Sequence, residues 1–396
     1  MRMPKFRFGS RRNLGKLASK ALSLSRLETR DCPSVTAALV GGTLTITGNG
    51  GSDVVTVTQT IQGDLQVKGN NGNFSKIFKG NDVTTLKANL GAGFNNLTID
   101  LSTSNGWDAD HGGFDQNPVI YVTSGVDNDT VTINLGDADG GGGGGAGDDD
   151  GRGDVFVSVN TGSGNDRVVI TAGGDFGGTF TEDIVLGAGN DYLSTVLDGD
   201  LDGDAAVSYD LGTGNDTSSF EVGGDVKSNF EFALVGNTGN DSCDVAIGGT
   251  ISGTSAVSGD LGSGNDRFTF SVGGDVDDVF EYSVDAGTGN DSASFGVGGD
   301  FNGDFVGDVN MGSSNDSFSL NIDGDTNGAF ELSVVTESGN DFVSVQFAND
   351  VNGPLVLSTD LGSGNDAQEI GVGGNITSDG EVAMDFNGGI GSDTTT

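Results

Sequence analysis

Gly162-Ser163-Gly164-Asn165-Asp166-Arg167-Val168-Val169-Ile170-Thr171-Ala172-Gly173-Gly174-Asp175-Phe176 decides the fold. Its Asn-Asp pair returns every 25 residues, at Asn190-Asp191, Asn215-Asp216, Asn240-Asp241, Asn265-Asp266, Asn290-Asp291, Asn315-Asp316, Asn340-Asp341 and Asn365-Asp366, usually behind Gly-x-Gly. A fixed period held through nine appearances marks an array of one stacked supersecondary unit. In such an array each carboxylate lies directly above the next.

The residues after each Asn-Asp alternate. Phe268, Phe270 and Val272 are apolar, as are Phe318, Leu320 and Ile322, with Thr269, Ser271, Ser319 and Asn321 between them. That pattern predicts a strand with one buried face. Gly173-Gly174-Asp175 turns the chain, one apolar residue such as Phe176 follows, and a polar kink leads into a second alternating strand such as Phe330-Glu331-Leu332-Ser333-Val334. Each unit therefore has two main strands, two Gly-rich corners and a short third strand at the lone apolar residue. Such a pair buries its apolar face only by stacking on its neighbours. An antiparallel meander would not demand a strict 25-residue count, whereas a coil does. The expected architecture is all-β, a parallel β-solenoid (β-helix) with 25-residue coils, with Phe180, Phe230, Phe280, Phe305 and Phe330 in one buried column.

Outward from the array, Asn128-Asp129-Thr130-Val131 repeats the corner 37 residues before Asn165-Asp166, one period plus 12. The excess falls in a Gly/Asp-rich loop at 136–154, which contains Arg152-Gly153-Asp154. That tripeptide matches an integrin-recognised motif, which in so Gly- and Asp-rich a chain is coincidence. Residues 34–125 are expected to be an irregular β cap or first coils, with strands at Val35 to Val40, Thr43 to Thr47, Val54 to Thr60, Leu65 to Val67 and Leu97 to Leu101. Repeats then fill 126–386, and 387–396 is a tail.

Composition narrows the function. The net charge is −41, yet residues 1–31 hold nine of the 17 Lys/Arg and only Glu28 and Asp31 of the acids. The acidic body repels nucleic acid and anionic membranes and attracts cations. No apolar run is long enough to span a membrane. Residues 1–33 read as an atypical export leader or a basic disordered tail. Arg26-Leu27-Glu28-Thr29-Arg30-Asp31-Cys32-Pro33, with Leu44-Thr45-Ile46-Thr47-Gly48 and Gly51-Ser52-Asp53 after it, resembles the start of predicted secreted proteins of planctomycete bacteria. The resemblance implies an extracellular or cell-surface location. Of the two cysteines, Cys243 takes an inward strand position and reads as a small buried residue.

The corner Gly262-Ser263-Gly264-Asn265-Asp266-Arg267-Phe268 resembles the nonapeptide of RTX calcium-binding β-rolls, and Gly388 to Asp393 matches that motif's Gly/Asp core. In that family the Asp carboxylate and turn carbonyls hold calcium. The likeness makes Asp166, Asp191, Asp216, Asp241, Asp266, Asp291, Asp316, Asp341 and Asp366 the candidate metal ligands, with calcium ions as partner. The family has two such turns per coil, whereas this chain has one per 25 residues and only a half-motif at Gly-Gly-Asp. Carboxylates stacked ~4.8 Å apart repel by roughly 0.9 kcal/mol per neighbour pair in water, which a cation relieves. The competing reading is turn chemistry alone: Asn tolerates left-handed geometry and stacks its amides, and Asp caps its own backbone. A second column, Asp175, Asp200, Asp225, Asp275, Asp300, Asp325 and Asp350, poses the same choice.

Catalysis needs a constellation that breaks the repeat. His111 is the single histidine and sits among Asp108, Asp110 and Asp115 beside Trp107, which reads as a polar loop. In the array only Arg167, Lys227 and Arg267 are basic. The expected protein is a secreted, non-catalytic structural or adhesive component, stabilised by calcium, with cell-surface or matrix polysaccharide or protein as further partner. The alternative is a carbohydrate-active β-helix enzyme working near Arg167 or Arg267. An ice- or crystal-binding face would want a Thr column, which no column supplies.

Overall fold

A computed structural model describes residues 35–102, 117–137, 153–377 and 380–396. The expectations for the leader, Cys32, Trp107, His111 and the body of the Gly/Asp-rich loop lie outside the described residues. Two long sheets face each other, and no α-helix occurs among the described residues. One sheet carries the strands Phe180–Val185, Ala205–Asp210, Phe230–Val235, Ser255–Asp260, Phe280–Asp285, Phe305–Asn310, Phe330–Val335 and Leu355–Asp360 in parallel order. The other carries Arg167–Gly173, Tyr192–Leu197, Thr217–Val222, Ser242–Ile247, Arg267–Val272, Ser292–Val297, Ser317–Ile322 and Phe342–Phe347. Register partners are one period apart, as in Phe280 opposite Phe305 and Phe305 opposite Phe330. This is the parallel β-solenoid that the period predicts. Single bridges Phe176–Leu201, Leu201–Val226, Val226–Ile251 and onward make the narrow third side.

The core is the inner face of both sheets. Phe180, Phe230, Phe280, Phe305 and Phe330 stand in one column, each at most 1% exposed. Phe305 and Phe330 stack with ring centroids 4.3 Å apart. Full burial of each such ring stabilises by roughly 1.5–3 kcal/mol, and stacked pairs add about 1 kcal/mol. Cys243 is buried in the same core, as its strand position predicts.

Before the regular array the coils are longer. Val54 pairs with Asn96, Asn96 with Thr130 and Thr130 with Arg167, steps of 42, 34 and 37 residues. Two strands reverse direction there: Thr36–Val40 runs against Thr43–Thr47, and Leu65–Gly69 lies antiparallel between Val54–Gln59 and Phe74–Phe78. This is the irregular N-terminal β cap. At this end an antiparallel pairing closes each sheet in place of a further parallel coil. The strands Phe74–Phe78, Thr85–Asn89 and Val119–Val126 were not expected from sequence. At the opposite end, Val382, Met384 and Phe386 continue the register of Leu355, Leu357 and Thr359 but are 45, 39 and 37% exposed.

Candidate functional site

The Asn-Asp corner is built by two glycines per coil. Gly264 has φ +144°, and a Cβ there would stand 1.4 Å from the carbonyl oxygen of Gly239 in the coil below. Only glycine accepts both that conformation and that approach. Where the sequence departs, the chain bears left-handed geometry on other residues, Asn237 and Glu337 in place of the first glycine and Ser314 in place of the second.

The corner turns each aspartate inward. Asp166, Asp191, Asp216, Asp241, Asp266, Asp291, Asp316, Asp341 and Asp366 form one line and are 1–5% exposed. Each reaches toward the coil before it, where its Oδ1 accepts a backbone N–H: Asp166 N–H donates to Asp191 at 2.6 Å, Asp241 N–H to Asp266 at 2.7 Å, Asp341 N–H to Asp366 at 2.9 Å. The run begins at Asp53, passes through Asn95 and Asp129, and ends at Asp393. These aspartates cap their neighbour's backbone, not their own. The Asn ladder runs in the opposite sense, with Asn265 N–H donating to Asn240 Oδ1 at 2.8 Å and side-chain amides stacking behind it. The corner Asn residues are not left-handed, contrary to one ground given for them in the turn-chemistry reading.

The other carboxylate oxygen has no partner. Oδ2 of every aspartate from Asp129 through Asp366 in this column is buried and receives no hydrogen bond. The hydroxyls of Thr161 and Thr336 lie near Asp166 and Asp341 but donate to the carbonyls of Leu186 and Leu361. Carboxyls so placed resist ionisation. Burial, the largest cause, lifts Asp191, Asp216, Asp241 and Asp291 from 3.8 to about 6, with the neighbouring aspartate adding a smaller push. Asp316, between two charged neighbours, rises to about 7. Repulsion along the column, which the spacing alone puts first, is thus secondary to loss of water.

One coil shows what the orphaned oxygen faces. In Gly91-Ala92-Gly93-Phe94-Asn95 an asparagine takes the aspartate's place. Asn95 Oδ1 accepts Asp53 N–H at 3.0 Å, the bond that Oδ1 makes elsewhere in the column. Its Nδ2, standing where an aspartate has Oδ2, donates to the carbonyl of Gly91 at 3.0 Å. Aspartate is nearly isosteric with asparagine, so the same placement in an Asp coil would set two acceptors against each other, Oδ2 and the carbonyl four residues back. Sequence reading required Asn-Asp and so passed over Asn95; the Gly-x-Gly frame was the signal.

Two acceptors in a dry corner need a proton or a cation between them. Calcium takes six to eight oxygens at 2.3–2.6 Å. The orphaned carboxylate oxygens and the corner carbonyls are the right donors for it. Among the described residues no three His, Cys, Asp or Glu side chains converge, so main-chain oxygens and water must supply most of the shell.

The second column is different. Asp200, Asp225 and Asp300 are half-buried, and the Oδ1 of each accepts an N–H from the following coil. Thr250 replaces an aspartate and keeps the ladder through its hydroxyl at 3.3 Å. Lys227 Nζ bridges Asp200 at 2.6 Å and Asp202 at 2.8 Å. Those bonds raise the lysine's pKa and hold it positive, the reverse of what a catalytic base needs. Arg167 stacks on Tyr192 at 4.4 Å, and Arg267 approaches Asp244 at 3.7 Å on the surface.

Sequence alternation also did not single out Glu182. It lies inside the core at 1% exposure, accepting Thr195 Oγ1–H at 2.7 Å and Tyr209 Oη–H at 3.3 Å. Burial pushes its carboxyl up to about 8.

No family model matches the chain. No curated protein sequence matches it either. Among solved structures it is similar to a hyperactive, Ca2+-dependent, beta-helical antifreeze protein from an Antarctic bacterium, at 21% identity over 78% of each chain with a TM-score of 0.39. A likeness at that level concerns coil architecture alone.

Proposed function

We propose that this chain is a secreted, non-catalytic β-solenoid, a structural or adhesive surface component whose rod is stabilised by calcium at the Asp corners. The observation that carries the calcium reading is the row of buried Oδ2 atoms without partners. The likeness of each corner to the RTX turn fits it, and Asp166, Asp191, Asp216, Asp241, Asp266, Asp291, Asp316, Asp341 and Asp366 are the proposed carboxylate ligands. An extracellular setting suits weak sites of ~10⁻⁴–10⁻³ M, which cytosolic calcium would leave empty. The individually engaged Arg167, Lys227 and Arg267 support a non-catalytic role over a carbohydrate-active enzyme. Acidic rods of this kind suit partners that are neutral or bridged by cations, such as matrix polysaccharide.

A calcium titration of metal-free protein, followed by circular dichroism and by equilibrium dialysis, tests the reading. Saturable binding of several ions per chain with tightening of the fold is expected. Absence of binding at millimolar calcium contradicts it. Protonation of the same oxygens is the second reading, favoured by the raised carboxyl pKa values; it predicts stabilisation by acid with no response to calcium.

A further inference from the structure

We infer that Asn95 is a built-in substitute for the cation, so that the corner 91–95 closes without an ion while the aspartate corners after it do not. The inference rests on the calcium reading above and locates each ion within the corner.

Two hydrogen bonds carry the argument. Asn95 stands in the Asp column by register, because Asp53 N–H donates to its Oδ1 and its own N–H donates to Asp129 Oδ1 at 2.7 Å. The column is therefore continuous through an amide. The side-chain nitrogen then has one direction left, and it takes the Gly91 carbonyl at 3.0 Å. Asparagine and aspartate are nearly isosteric, so Oδ2 of Asp191 occupies the matching place against the Gly187 carbonyl, and Oδ2 of Asp291 against that of Gly287. Those carbonyls already accept one N–H each, from Thr213 at 2.7 Å and Ser313 at 3.1 Å. By that isostery each has a second lone pair facing Oδ2. The amide's N–H supplies in one coil the positive end that an ion must supply in the others. The ion's place is accordingly between Oδ2 and the carbonyl four residues back, the place of the Asn95 nitrogen.

The position has a structural consequence. Asn95 lies in the longer coils beside the antiparallel cap, so the corner 91–95 closes from its own side chain. Asp53, at the head of the column, differs from the later aspartates: its Oδ2 accepts Asn49 N–H at 3.1 Å and its Oδ1 is the orphan, and the row of orphaned Oδ2 atoms begins at Asp129.

The test counts calcium in three full-length proteins by equilibrium dialysis and follows thermal melting in chelator. Asn95→Asp keeps the Oδ1 bond but replaces the donor with an acceptor. It is expected to bind one calcium more than wild type and to melt lower than wild type in chelator, with the difference removed by calcium. Asp291→Asn is expected to bind one calcium fewer and to melt higher than wild type in chelator. It serves if Asn95→Asp does not fold. Unchanged calcium numbers in these variants, beside a wild type that binds calcium, overturn this inference and leave the calcium reading standing. A wild type that binds none overturns the calcium reading itself.

Discussion

Replacing Asp291 by asparagine should stabilise the metal-free protein, although it removes a buried side chain that the repeat preserves. Asp291 Oδ1 accepts Asp266 N–H at 2.8 Å, and an asparagine oxygen keeps that bond. Its Oδ2 has no partner, and burial with Asp266 nearby raises the carboxyl to about 6. At pH 7.5 the group is largely ionised, so the folded state carries an unsatisfied buried charge. A buried acceptor left unsatisfied costs about 1–3 kcal/mol, and the amide donates to the Gly287 carbonyl as Asn95 does to Gly91. The expected gain in chelator is about 1–3 kcal/mol, a rise of a few degrees in melting temperature for a chain of this size. Asp291→Ala gives the contrast. It leaves Asp266 N–H without its acceptor, and should cost about 1–3 kcal/mol. Melting both variants and wild type in chelator at pH 7.5 and fixed ionic strength decides the matter. Asp291→Asn melting at or below wild type, or together with Asp291→Ala, would show that Oδ2 carries no such penalty.

Other outcomes follow from the same geometry. The Asp column has folded pKa values above the unfolded ones, so its contribution is complete below about pH 4 and is lost as pH rises through about 6; in chelator the melting temperature should fall between pH 5 and 7.5, and a rise contradicts this. Glu182, raised from 4.5 to about 8, contributes fully below about pH 4.5 and loses that contribution as pH rises toward 8, so Glu182→Gln should flatten the fall in stability across that range; an unchanged slope opposes it. Gly264→Ala should cost about 1–3 kcal/mol, because its Cβ would meet the Gly239 carbonyl oxygen at 1.4 Å and the corner must shift as it does at Ser314, and denaturant unfolding measures it. Ser314 has φ +98°, so Ser314→Gly should raise stability by about 1 kcal/mol, and a loss would count against the strain.

The period and the alternation made the array legible because a coil of fixed length puts like on like. Phe280 over Phe305 over Phe330 needs no information beyond the 25-residue step. The cap resisted reading because its steps vary and its strands turn antiparallel, as at Leu65–Gly69, so no period places one residue against another. The Asp line was legible as a line, but not its inward turn. That depends on the paired left-handed glycines of the corner, and it converts expected surface repulsion into loss of hydration. Glu182 was legible in principle, since Val207, Phe232 and Tyr282 share its column and are all buried. Periodicity names the column; only the Thr195 and Tyr209 hydroxyls explain why a carboxyl is tolerated there.

We propose that the buried Oδ2 row takes calcium as its positive partner. Thermal melting of the wild-type protein at pH 7.5, with millimolar calcium and with chelator at equal ionic strength, tests it most directly. A higher melting temperature with calcium is expected, with stability rising with its concentration as RT ln(1 + [L]/Kd) per site. Identical melting in the two conditions would contradict it.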